Sequence, residues 1–318
     1  MAGLSRTLAV DLNGLMLPTA VMVASGCAGT GRELGALVDL HKVGGVVSRS
    51  ITLEARKGTP TPRIAETPSG IVWSTGLQNP GIDVFLQEEL PRLARGGVPV
   101  IVSIAGGTME EFVRLTSLLQ GAQGMTAIET YLSGPDEELG TAVLACRPDR
   151  AAEIVGAVAR MATVPVFAKL PPLLAEPVET ARACVRAGAH GLTLIDAVPA
   201  LGVDPRSLRP QLGGVTGWLS GPAVRPLALR AIHDVARELP SVPILGVGGV
   251  RTGEDAVEML LAGAWAVQMG TATLVDPAAP VTAAQGIASY LKAKGLASPA
   301  DVRGRLRVPT TAAQEEAP

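Results

Sequence analysis

Aromatic side chains are scarce in this chain. Of 318 residues, three are Phe, three Trp and two Tyr, 3 % in all, too few for the base-stacking platforms of a single-strand nucleic-acid binder. Neither sign of charge dominates, with 27 Lys and Arg against 29 Asp and Glu. No basic surface is therefore offered to nucleic acid or to an anionic membrane. Cysteine is equally sparse. Cys27, Cys146 and Cys184 are spaced for neither a metal site nor a disulfide framework, which points to a reducing compartment. No run approaches the ~18 uninterrupted apolar residues of a spanning helix, and Met1–Thr7 lacks the apolar stretch of a signal peptide. A soluble cytoplasmic protein that binds no nucleic acid, membrane or metal is expected.

What the chain has is apolar material, 47 % by residue, together with 37 glycines and 25 prolines. From residue 21 onward, short apolar runs alternate with amphipathic segments, the pattern of parallel strands joined by crossover helices. The runs are 21–26, 45–51, 98–105, 125–132, 164–170, 191–197, 242–248 and 264–270. Eight consecutive units predict a (β/α)8 barrel rather than a doubly wound open sheet. Val-Pro pairs at 98–99, 164–165 and 242–243 fit proline at the start of a strand. Residues 6–20 are expected to form a hairpin closing the bottom of the barrel, and 53–80 an insertion after strand two. One domain is expected over 1–309, with a disordered tail over 310–318.

In such a barrel the chemistry sits at the C-terminal ends of the strands. That rule selects segments such as Ala24–Gly29, Ser48–Thr52, Tyr131–Asp136, Lys169–Pro172 and Asp196–Ala200, and it sets aside His41, His190 and His233 as packing or surface residues. The last two units carry Gly248-Gly249 and Gly270-Thr271. Glycines at strand ends let backbone N–H groups approach an anion. Two such loops in adjacent units, with Gly217–Ala223 before the sixth helix, favour a bound phosphate over mere tight turns.

Several longer motifs lie on the same frame: Ala24–Gly26, Ser50–Gly58, Pro62–Gly70, Gly76–Gly81, Ile104–Gly106, Lys169–Pro172, Leu219–Ala223 and the two glycine loops. Together they resemble the class 1 dihydroorotate dehydrogenases, FMN-containing barrels, across most of residues 20–305. The resemblance implies FMN as cofactor, with its phosphate on Gly221, Gly248, Gly249, Gly270 and Thr271. It places Ala24, Ser25, Gly26, Arg49, Ser50, Ser103, Tyr131 and Ile195 along the flavin. Lys169 matches the lysine facing the pyrimidine edge of the ring, where a cation stabilises negative charge on the reduced flavin. The family also implies a homodimer, and some members work with an iron–sulfur/FAD electron-transfer subunit.

The chain departs from the family on the substrate side. The family loop Glu-Leu-Asn-Ile-Ser-Cys-Pro-Asn reads here as 129–136, Glu-Thr-Tyr-Leu-Ser-Gly-Pro-Asp. Tyr131, Gly134 and Asp136 thus replace an asparagine, the cysteine base and a second asparagine. Trp73 and Asp196 stand for two further asparagines, and Arg49 for a lysine. The expected substrate wall is Arg49, Trp73, Ser74, Thr75, Gly76, Leu77, Asp196 and Ala197. Unpaired polar groups on orotate would each cost ~1–3 kcal/mol, enough to spoil its recognition. Gly134 has no proton-accepting side chain. Tyr131 and Cys27 are the candidate substitutes, with Lys169 assisting, while Ser133 and Cys146 rank lower; Tyr131 is equally readable as a bulky wall. Arg49 is expected either to pair with Asp196 or to clamp a substrate carboxylate.

The leading expectation is an FMN-dependent oxidoreductase acting on a CH–CH or C=C bond of a small conjugated molecule other than orotate, as in an ene-type reduction. The alternatives are a true dihydroorotate dehydrogenase with a relocated base and a flavin-binding non-catalytic subunit.

Overall fold

A computed structural model describes residues 7–135, 137, 138, 140, 143–172 and 174–308. Asp136 and the tail over 310–318 lie outside the described residues. All eight expected strands form, as Val21–Val23, Val46–Val47, Val100–Ile104, Ala127–Tyr131, Val166–Leu170, Gly191–Leu194, Ile244–Val247 and Ala266–Met269. They pair in parallel and close into a barrel, each bonded to its neighbours in chain order and the eighth to the first. Every residue of the third, fourth and fifth strands is buried, as expected where helices cover one face and the barrel interior the other.

Each strand is shorter than its apolar run. Proline removes a donor at the N-terminal end, but the carbonyls of Pro99, Pro165 and Pro243 still accept from Val46, Ile128 and Leu192 at 2.9 Å each. At the C-terminal ends the chain turns off into the glycine- and serine-rich loops that build the site.

The helices Met109–Leu119, Pro148–Met161, Pro177–Arg186, Arg225–Glu238, Gly253–Ala262 and Ala279–Lys294 pack outside the barrel. Two begin on side-chain caps. Thr108 accepts from the Glu111 amide at 3.2 Å, and Thr252 with Asp255 forms a reciprocal capping box, which satisfies amides left free in a first helical turn. Among the described residues no helix is long and apolar enough to cross a membrane.

The N-terminal hairpin pairs Val10–Asp11 with Met16–Leu17. Asn13 donates to the Ser241 carbonyl at 3.2 Å, and His190 meets the Leu12 carbonyl at 2.6 Å, so the hairpin closes the N-terminal end of the barrel. His190 also packs edge-on against Phe167.

The insertion after strand two forms an antiparallel pair, Ile64–Thr67 with Gly70–Trp73. It grows into a four-stranded sheet by taking up Gly217–Ser220 and then Val198–Ala200. Neither added stretch was foreseen as a strand. Trp73 lies opposite Trp218, nearly half the chain away, and periodicity within a local window carries no information about such a pairing.

Candidate active site

Residues alternate in facing along a strand, and that alternation stacks a polar layer inside the upper barrel. Glu129 of the fourth strand is fully buried. Its Oε2 accepts from Thr193 Oγ1 of the sixth strand at 2.8 Å and from Gln268 of the eighth at 3.5 Å. One turn of the pleat higher, Tyr131 sits beside Lys169 in the register of the fourth and fifth strands. Lys169 Nζ lies 3.4 Å from Asp196 Oδ1 and 3.9 Å from Glu129 Oε1. Burial disfavours the Lys169 ammonium, but the carboxylates of Asp196 and Glu129 outweigh it and hold the ammonium above its ordinary range. Tyr131 and Asp196 line the same cavity. Burial, then the adjacent carboxylate, raise the phenol well above its ordinary value.

This cluster opens into a cavity whose other walls come from across the barrel. They include Ala24, Ser25, Gly26 and Cys27 after strand one, Arg49 and Ser50 after strand two, and Gly248, Gly249, Gly270 and Thr271 after strands seven and eight. The four-stranded sheet covers one side with Ile71, Trp73 and Ser220. Gly249 adopts φ +77°, and a Cβ there would lie 2.8 Å from the Gly221 carbonyl oxygen; only glycine fits this turn. Backbone rather than side chain therefore lines that end. Hydroxyl pairs fix the remaining walls. Ser25 donates to the Ser48 carbonyl at 2.8 Å, Ser50 and Ser103 share a bond at 2.9 Å, and Thr271 and Trp73 both donate to Ser220, at 2.8 and 3.0 Å.

Most residues expected at the site converge on this one cavity. Thr75, Leu77, Ile195, Ala197 and Gly221 line it with those already named. Three do not reach it. Ser103 is fully buried behind Ser50. Ser74 is tied into the insertion, its amide donating to the Arg63 carbonyl at 2.8 Å and its carbonyl accepting from Thr59. Gly76 packs on the backbone of Thr59, where a Cβ would approach to 2.6 Å. Of the two roles expected of Arg49, pairing with Asp196 is not seen, and Lys169 holds Asp196. Arg49 instead faces Glu89 at 3.6 Å, on a π-turn, Phe85–Glu89, that no sequence signal announced. Ser220, Ile71 and Leu274 line the cavity without having been expected there. Ser220, adjoining Gly221 in the Leu219–Ala223 motif, is the one that a closer reading of that motif would have picked out.

Cys27 is pushed up to about 11 by burial, which Lys169 only partly offsets. A thiol held there stays protonated at neutral pH, and it donates to the Ser25 carbonyl at 3.8 Å rather than to a carboxylate that could take its proton. Cys146 is exposed, in the turn Leu144–Cys146 away from the cavity walls.

Residues 7–291 match the family model described as "Dihydroorotate dehydrogenase". A protein of Geotalea daltonii called "Dihydroorotate dehydrogenase B (NAD(+)), catalytic subunit" is 41 % identical over 301 residues, covering 95 % of this chain and 98 % of the relative. Proteins of the same name from Desulforudis audaxviator and Geobacillus kaustophilus are 43 and 45 % identical, over 91 and 85 % of this chain and 94 and 86 % of theirs. The chain belongs to the dihydroorotate dehydrogenase family, whose members are FMN-binding oxidoreductases acting on CH–CH groups.

Proposed function

We propose that this member of the dihydroorotate dehydrogenase family is the FMN-bearing catalytic subunit of an oxidoreductase, and that dihydroorotate is the substrate its relatives support best. The names of those relatives, matched nearly end to end, favour it over the different conjugated substrate expected from the altered loop. The observation that carries the reaction class is the cavity itself, which joins a backbone-lined turn on one side to the buried Lys169–Asp196–Tyr131 cluster on the other.

The residues present fit FMN. A Cβ at position 249 would fill the space beside the Gly221 carbonyl, so Gly221, Gly248, Gly249, Gly270 and Thr271 leave room for a phosphate to meet backbone amides. Ala24, Ser25, Gly26, Ser50 and Ile195 would flank the ring, with Lys169 as the nearby cation. Bound FMN supplies the acceptor or donor of hydride. The protein supplies orientation and a route for the accompanying proton. Electrons would leave through an iron–sulfur/FAD partner subunit, a proposal supported by the words "catalytic subunit" in the relatives' names.

A second reading, a conjugated carboxylate other than orotate, is favoured by one feature of the pocket. Arg49, Trp73, Tyr131 and Asp196 line the wall where the family presents a lysine and asparagines, and Asp196 is already engaged with Lys169 and Tyr131. Steady-state assay of the FMN-loaded chain separates the two. Turnover of dihydroorotate with NAD+, fumarate or a quinone above the free-flavin background supports the first. Its absence, alongside reduction of an α,β-unsaturated carboxylate by the reduced protein, supports the second.

A further inference from the structure

The reaction class requires that a proton move at one carbon while hydride moves at its neighbour, yet loop position 134 is glycine. The space beside that position is not vacant. A Cβ built on Gly134 would rest 3.5 Å from Cε1 and 3.9 Å from Cδ1 of Tyr131, so the phenol ring stands in van der Waals contact with the place from which a side chain at 134 would project. Three observations meet in one corner of the cavity. The Tyr131 ring lies against Gly134, Tyr131 and Asp196 line the same wall with the carboxylate near enough to raise the phenol, and Asp196 pairs with Lys169 at 3.4 Å. The groups around this pair are Lys169 and, behind it, Glu129 from the barrel strands, with Cys27 and Arg49 from the loops after strands one and two.

We propose that Tyr131 is the proton-transferring catalytic residue of this enzyme and that Asp196 is the positioning residue which orients its hydroxyl and exchanges its proton. In dehydrogenation, the substrate C–H bond breaks and its proton passes to Tyr131 Oη as the hydroxyl's own proton passes to the Asp196 carboxylate. The C–H electron pair becomes the new C=C bond as hydride leaves the neighbouring carbon for the flavin. The proton on Asp196 is then released to solvent. Reduction runs the same relay backwards, with Tyr131 giving its proton to carbon. The high retention of the phenol proton, caused by burial and by Asp196, keeps a neutral donor in place across the physiological range. This inference rests on the oxidoreductase reading above.

The chain has two tyrosines, Tyr131 and Tyr290, so Tyr290→Phe leaves a single phenol whose ionisation can be followed by tyrosinate absorbance without cofactor or substrate. In that background Tyr131 is expected to ionise well above free tyrosine, or only as the fold is lost, and adding Asp196→Asn is expected to bring the transition down while circular dichroism stays native. In the FMN-loaded wild-type background, Tyr131→Phe is expected to lower kcat by about 10²–10⁴-fold while FMN content stays unchanged. Asp196→Asn is expected to lower kcat less and to displace the alkaline limb of the pH profile. A Tyr131→Phe variant within twofold of wild type overturns the proposal. So does a Tyr131 that ionises as an ordinary tyrosine or ignores Asp196→Asn. If the wild type turns over no tested substrate, the oxidoreductase reading fails instead, and the phenol titration alone decides the pairing.

Discussion

Lys169 stands between two buried carboxylates, Asp196 at 3.4 Å and Glu129 at 3.9 Å. Removing the cation while leaving both partners strands buried negative charge, and breaking such a pair typically costs about 3–5 kcal/mol. Lys169→Met should therefore lower the urea-derived unfolding free energy by about that amount, whereas Lys169→Met with Glu129→Gln and Asp196→Asn should recover much of it. A single variant as stable as wild type would show that the cluster is hydrated rather than buried. Arg49 is a milder case. Its partner Glu89 lies 3.6 Å away, and the arginine side chain is 28 % exposed. Glu89→Gln should leave stability within about 1 kcal/mol and change the KM for a carboxylate substrate more than kcat. Equal loss in both parameters would argue against a role in substrate capture.

At the scale of elements, the turn after strand seven is the sharpest constraint. Gly249→Ala adds a methyl group at φ +77°, 2.8 Å from a carbonyl oxygen, which costs on the order of 1–3 kcal/mol of local strain. FMN affinity should fall by about tenfold or more, measured by quenching of flavin fluorescence; unchanged affinity would place the phosphate elsewhere. The eight barrel strands and the two glycine loops were legible in the sequence, because each is specified by local composition: an apolar run, a proline before it, small residues after it. The sheet over the cavity was not. Its strand Gly217–Ser220 meets Gly70–Trp73 only once the barrel has brought residues far apart in the chain together. The Glu89 contact was equally hidden, since a π-turn adds one residue to a helical turn and rotates the face that follows it.

For the molecule as a whole, buried protons set the behaviour in alkali. Cys27 and Cys184 retain theirs to about 11 and about 12 against an ordinary 9.0, chiefly through burial. Tyr131 and Lys169 are shifted upwards as well. Wherever the folded state keeps protons that the unfolded chain has released, stability falls as pH rises. The stabilisation by Lys169 is likewise complete below its unfolded value and lost as pH climbs through the folded one. Unfolding free energy should decline steadily above about pH 9, and Cys184→Ala should flatten part of that slope; a level profile up to about pH 11 would contradict it. The candidate site follows the same division as the fold. Its glycine-lined side was legible because backbone-lined turns demand glycine in sequence. The Lys169–Asp196–Tyr131 corner was only half legible: Tyr131 was visible as a replacement, but its place beside Asp196 and against Gly134 depends on packing.

We propose that one cavity holds FMN at its glycine turns and moves the proton at a separate, side-chain-built corner. Flavin content per chain, measured after loading with FMN and gel filtration, tests it most directly. One FMN per wild-type chain is predicted, markedly less for Gly249→Ala and an undiminished amount for Tyr131→Phe. A colourless wild-type protein that retains no FMN would contradict the account.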